Sequence, residues 1–153
     1  ASVEDRATAC LILLYAQPIT KIVTLTTADI RAAAGDTYLT LGREPLLLLP
    51  PLDALITALP ETKQFGTASA LADPRWLFSG KNAGTHLQPP SLMARMNRLG
   101  ITTRASRNTA MLHLASTTPP AVFAHLIGVS LGTATRWTEL SGAIWNTYAT
   151  TRS

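Results

Sequence analysis

The sequence predicts a mainly α-helical domain carrying one small antiparallel β-hairpin. Three observations predict it. Apolar residues recur at helical spacing in one segment after another. One stretch breaks that pattern: residues 37–41 are β-prone, Gly42-Arg43-Glu44 makes a turn, and residues 45–49 are a second apolar run. The 153 residues, 46% of them hydrophobic, support a single domain over residues 1–153 with one sizeable core.

Each element has its own signal. Over residues 3–16, Ala7, Cys10, Leu11, Leu14 and Tyr15 form an apolar stripe, and Pro18 stops the helix. A short helix follows over residues 19–25; Thr26 to Ile30 is its exit, where Thr27 or Asp29 can cap a further turn, and Gly35-Asp36 opens a turn. Pro50-Pro51 ends the hairpin, and residues 52–59 are helical with Pro60 as the stop. Residues 61–74 read as a loop or frayed helix, and Trp76-Leu77-Phe78 as an extended segment and candidate third strand. The glycine-rich turn from Ser79 to Gly84 lacks the Gly-Lys-Ser/Thr pattern of a phosphate-binding loop. Ser91 is placed to cap a helix ending at Leu99 before Gly100, with Leu92, Met93, Met96 and Leu99 on its stripe and Arg95 and Arg98 off it. Further helices are expected over residues 106–115, 120–127, 131–140 and 143–150, with Gly128-Val129-Ser130 as a tight turn.

Composition excludes several classes of function. A single cysteine, Cys10, rules out a disulfide framework within the chain and a cysteine-based zinc cluster. The histidines His86, His113 and His125 fit no metal-ligand spacing, so neither metal nor cofactor is expected. Residues 108–135 carry no Lys, Arg, Asp or Glu, but Pro119-Pro120 splits them into halves well short of the roughly 20 apolar residues a membrane span needs. Asp29 and Asp36 have no third carboxylate placed to share a metal, and Ser130 with His125 lacks the Gly-x-Ser-x-Gly elbow of a hydrolase. The chain begins at Ala1 without Met or a signal-type start, which reads as the C-terminal part of a longer protein.

Charge is distributed unevenly. Residues 1–74 carry a net −3 and residues 75–153 a net +7 within an overall +4. A basic half on a mildly acidic one points to a polyanion at one end of the domain. Duplex DNA is the default, and arginine, the better bidentate partner for phosphate and guanine, outnumbers lysine ten to three. A GC-rich genome that favours Arg and Ala codons is the plainer source of the same bias. The expected phosphate contacts are Arg95, Arg98, Arg104 and Arg107, with Lys81 on a loop.

Residues 119–140 form a helix-turn-helix-like element. Ala124 lets a second helix pack close, Gly128 tolerates the left-handed turn, and the second helix presents Thr133, Thr135 and Arg136 for base or shape readout. An ordinary helical hairpin with Trp137 in the core fits the same residues.

Several ordered motifs carry a resemblance. Leu13-Leu14-Tyr15-Ala16 followed by Ile22 to Ile30, the Leu77-Phe78-Ser79 segment, Arg104-Ala105-Ser106-Arg107-Asn108 with Leu112-His113-Leu114, and Ala124-His125-Leu126-Ile127-Gly128 stand in the order found in one family. Over residues 8–140 the chain resembles the catalytic domain of tyrosine recombinases, the phage integrase family. The resemblance implies that fold and a DNA partner. It aligns Arg107 with the second catalytic Arg, whereas Pro18 stands at the first catalytic Arg. Arg104 and Asn108 replace the two flanking His residues, Val129 the turn His, and Trp137 the nucleophilic Tyr. Arg43 is the basic residue nearest the family's hairpin Lys. Cleavage needs a hydroxyl nucleophile and a positive clamp, and indole supplies only an N–H donor. The resemblance therefore implies a bacterial, catalytically inactive relative that binds duplex DNA without cutting it. It further implies a place in the cytoplasm at the nucleoid, an upstream clamp domain, and homo-oligomers built through the C-terminal helix. Three alternatives stand beside it: an active recombinase using Tyr148, a helix-turn-helix regulator, and a protein-interaction module.

Overall fold

A computed structural model describes residues 2–62, 75–80 and 84–152. Helix α1, Val3–Tyr15, begins where the Ser2 hydroxyl accepts the Asp5 N–H at 3.1 Å. It packs between helices α3, Leu52–Thr62, and α5, Thr103–Thr117. With two neighbours its buried face is Glu4, Ala7, Thr8, Leu11 and Ile12, rotated from the expected stripe, and Leu14 is exposed. The helix closes at Ala16, in the left-handed region at φ 56°, with the Ala16 and Gln17 N–H groups donating to Ile12 and Leu11 carbonyls at 3.1 Å.

Helix α2, Ile19–Ile22, is shorter than its apolar pattern suggested. The Thr24 hydroxyl and N–H both donate to the Lys21 carbonyl, at 2.7 and 3.1 Å, which turns the chain away. A single 3₁₀ turn, Thr27–Asp29, follows, and the Asp29 carboxylate accepts the Thr26 N–H at 2.9 Å.

The hairpin forms as β2, Asp36–Thr40, and β3, Pro45–Leu47, but it belongs to a three-stranded antiparallel sheet in the order β1-β2-β3. Strand β1, Ile30–Ala33, follows the expected helix exit, in a stretch for which no element was expected. Alanine-rich Arg31-Ala32-Ala33 has little β propensity; the strand is set by the two-residue turn Ala34-Gly35, whose residues both have positive φ as a type I′ hairpin turn requires. The candidate third strand at 76–78 is not part of the sheet. It is pinned through single bridges, Thr26 to Trp76 and Ser79 to His86, which bury Leu77 and Phe78.

The remaining helices depart from expectation mainly at their ends. Helix α3 runs two residues past Pro60, since a proline in the last turn removes only one ladder bond. Helix α4, Pro89–Arg98, starts after Gln88, which makes no side-chain cap, rather than at a Ser91 cap, because Pro89 and Pro90 fit the first turn, whose N–H groups have no intrahelical partner. Helix α5 is longer at both ends than 106–115, and α6 spans Pro120–Ile127. The two expected final helices are one, α7, Leu131–Arg152. Gly142 does not break it, because an interior glycine costs only about 1 kcal/mol.

Two apolar clusters hold these elements. The larger joins α1, α2, the sheet, α3, Leu77, Phe78 and α4 around Leu11, Ile12, Ile22, Leu39, Leu52 and Ile56. Each such side chain, fully buried, contributes about 1.5–3 kcal/mol. The smaller packs Ala16, Ala110, Met111, Phe123, Ala124, Ile127 and Ala134 between α5, α6 and α7. Helix α1 and the turn after it are therefore the seam between the two. Among the described residues no helix is long and apolar enough to cross a membrane, and no group of three His, Cys, Asp or Glu could hold a metal ion.

Candidate nucleic-acid interface

Four segments converge at that seam. Arg107 of α5 is half-buried, and its Nε donates to the Ala16 carbonyl at 2.9 Å. Burial pushes its guanidinium below the ordinary value, and no described residue accepts from its terminal nitrogens. The Gln17 side chain, 1% exposed, donates through Nε2 to the Tyr15 carbonyl at 3.0 Å and the Ile127 carbonyl at 3.1 Å. This ties the turn after α1 to the turn before α7.

The hairpin turn joins them. The Arg43 N–H donates to the His125 carbonyl at 2.8 Å. Gly42 is so close that a Cβ there would lie 2.1 Å from the His125 carbonyl oxygen and 2.7 Å from the Gly128 nitrogen. Gly128, at φ 87°, turns α6 into α7 in a conformation that L side chains resist. The exposed Arg43 side chain thus emerges from a backbone locked to the α6–α7 turn.

Helix α7 opens with a polar network. Ser130 caps it, its hydroxyl accepting the Thr133 N–H at 3.1 Å and donating to the Thr133 hydroxyl at 2.9 Å. Arg136 Nη2 donates to the Thr133 hydroxyl at 3.3 Å, and the Thr135 hydroxyl donates to the Leu131 carbonyl at 2.8 Å. Residues 119–140, where a helix-turn-helix-like element was expected, hold α6, a three-residue turn and the start of α7, and the threonine hydroxyls already have partners there.

The expected contact residues separate into groups. Arg104 and Arg107, with Asn108, share one face of α5 at i, i+3 and i+4, and Arg104 and Asn108 are exposed. Arg98 is exposed at the end of α4. Lys81 lies outside the described residues. Arg95 requires a correction. Its Nη1 donates to Glu4 Oε1 at 2.6 Å and its Nε to Asp5 Oδ1 at 2.7 Å. Burial works to lower its pKa, but the bonds and charges of Glu4 and Asp5 outweigh that and raise it. Its charge is spent on α1, so it is not a free phosphate contact. The sequence placed it off the apolar stripe of its helix, which says nothing of carboxylates ninety residues away.

Of the positions matched to the family's chemistry, Pro18, Val129 and Trp137 are apolar. Pro18 is the N-cap of α2, and Val129 and Trp137 are partly buried against the smaller cluster. Tyr148 lies on α7, which runs unbroken from Trp137. Two contributors were missed from sequence: Gln17 and Gly42. A glutamine before a proline, between two apolar helices, was the available signal, because Pro18 forces Gln17 out of the helix.

No protein-family model and no curated protein matches the sequence. A solved structure does. The crystal structure of XerA recombinase is similar over 99% of this chain and 58% of that chain, at a TM-score of 0.68 and 12% identity. The chain spans 58% of that recombinase's length, and at this identity the likeness is one of backbone architecture. The domain has a recombinase-like fold, mainly helical with a small three-stranded antiparallel sheet.

Proposed function

We propose that this domain binds duplex DNA on a recombinase-type scaffold without cleaving it. The observation that carries the reading is the series of contacts that ties α5 to the α1–α2 turn through Arg107, that turn to the α6–α7 turn, and the α6–α7 turn to the hairpin turn, with the terminal nitrogens of Arg107 left for an anion. Arg98, Arg104, Arg136 and Arg43 supply further exposed cations, and Lys81 belongs to the same basic half of the chain. Thr133, Thr135 and Arg136 line the first turns of the helix that would enter a groove. The absence of cleavage rests on chemistry: Trp137 has no hydroxyl, and Pro18 leaves Arg107 without a second clamping arginine. Tyr148 is eleven residues from Trp137 on one continuous helix, about 16 Å along its axis. Self-association through α7 belongs to the same proposal, since Leu140 and Ile144, one turn apart, are 47% and 51% exposed.

The test is a binding titration on random duplex across a salt series. Each neutralised phosphate contributes a slope near −0.9 in log K against log salt. Four to five arginine contacts give an expected slope of roughly −4. Salt-indifferent binding, or none at low salt, would leave the interaction-module reading in its place.

A further inference from the structure

We infer that Gln17 is the positioning residue of Arg107: its buried amide fixes the peptide whose carbonyl aligns the guanidinium. This rests on the DNA-binding reading for its purpose but not for its geometry. The Gln17 amide is 1% exposed and spans two segments 110 residues apart, donating to the Tyr15 and Ile127 carbonyls. Two carbonyl acceptors leave the amide one orientation, because an amide oxygen turned toward them would face like partial charges. The next atoms along the chain belong to the Ala16–Gln17 peptide. Ala16 is held in the left-handed region, at φ 56°, by its own N–H on Ile12, by the Gln17 N–H on Leu11 and by the side-chain anchor at Ile127. That conformation directs the Ala16 carbonyl to Arg107 Nε at 2.9 Å.

The consequence is a preset fork. With Nε committed to Ala16, the guanidinium plane is fixed and its two terminal nitrogens keep a constant edge toward solvent. An arginine fixed in this way loses less side-chain freedom on meeting a phosphate than one on an open surface. Glutamine achieves this without charge. A glutamate would set oxygens against two carbonyls, and a methionine of similar length would leave both carbonyls unpaired.

The experiment reads Gln17→Met by two signals. The first is the exchange rate of the Arg107 Nε–H in nitrogen-15 NMR of the free protein, and the second is duplex affinity across a salt series. Expected are an Nε–H exchange at least tenfold faster, a loss of about tenfold in affinity as one charge-assisted bond goes, and a salt slope shallower by about one. Adding Arg107→Ala to Gln17→Met should then cost little more, since both changes remove the same contact. A lower melting temperature with Nε–H protection unchanged would overturn the inference and leave Gln17 a packing residue. If the wild type fails to bind duplex, the DNA-binding reading falls, and the Nε–H rate alone decides the role of Gln17. If Gln17→Met does not fold, Arg107→Ala supplies the reciprocal test. It should shift the Gln17 side-chain amide resonances, and unmoved resonances would count against the coupling.

Discussion

Replacing Gly42 by alanine should separate the hairpin from the turn that precedes α7. The added Cβ would lie 2.1 Å from the His125 carbonyl oxygen, where real Cβ atoms come no closer than about 3.0 Å. The obstructing atoms are backbone on both sides, the Gly128 nitrogen and Cα included, so no side chain can swing away. The two turns must part by about 0.9 Å. That movement stretches the 2.8 Å bond from the Arg43 N–H to His125, worth about 1 kcal/mol. Overpacking of a tight interior adds about 1–3 kcal/mol. A total of about 3 kcal/mol in a chain of this length lowers the melting temperature by roughly 10 °C. Gly142→Ala is the matched control. Nothing lies within 4 Å of its added Cβ, and it sits inside α7, so it should gain up to about 1 kcal/mol and melt roughly 2–4 °C higher. Calorimetry on the two variants and the wild type is the assay. A Gly42→Ala protein melting within 2 °C of wild type would refute the interlock, and with it the fixed placement of Arg43 beside α7.

Other outcomes follow from single contacts. Arg95→Ala removes the 2.6 Å ion pair to the Glu4 carboxylate, 7% exposed, and should cost about 2 kcal/mol by denaturant titration, a figure reduced from the fully buried case because Arg95 is partly solvated; its duplex affinity should stay near wild type, whereas Arg104→Ala and Arg107→Ala each lower it. Burial pushes the Cys10 thiol up, against a smaller opposing effect of Arg6, so alkylation at pH 8 should run slower than for a free thiol. Tyr15 is pushed up by burial and then by Cys10, so the folded state holds both protons more tightly than the unfolded chain. The stability they contribute is present below their unfolded pKa values and is lost as pH rises from about 9 through the folded ones; urea midpoints that stay flat between pH 8 and 10.5 would contradict this.

Much of the fold was legible because local chemistry and tertiary structure agree. Pro18, Gly42, Gly100 and Gly128 mark real boundaries, and the α6–turn–α7 element falls where Ala124, Gly128 and Ser130 placed it. Strand β1 was illegible because alanine carries no β signal, and its pairing is imposed by a turn whose effect depends on the partner strand. Ser141-Gly142 reads as a break, yet the cost of one glycine is small against twenty-two residues of helix. At the candidate site, Arg104 and Arg107 were visible as charges at helical spacing. That Arg95 is neutralised was not, since its partners sit on α1. Gln17 was hidden for the same reason: its importance lies in a carbonyl 110 residues away.

The central claim is binding without cleavage, and one assay addresses both halves. The protein is incubated with a labelled, nicked suicide duplex, and the sample is divided between a native and a denaturing gel. The expected result is a retarded band on the native gel that vanishes on the denaturing one, because Trp137 cannot form a phosphotyrosine link. A band surviving denaturation, and lost in Tyr148→Phe, would contradict the claim and make the domain an active recombinase whose last helix moves to reach Arg107.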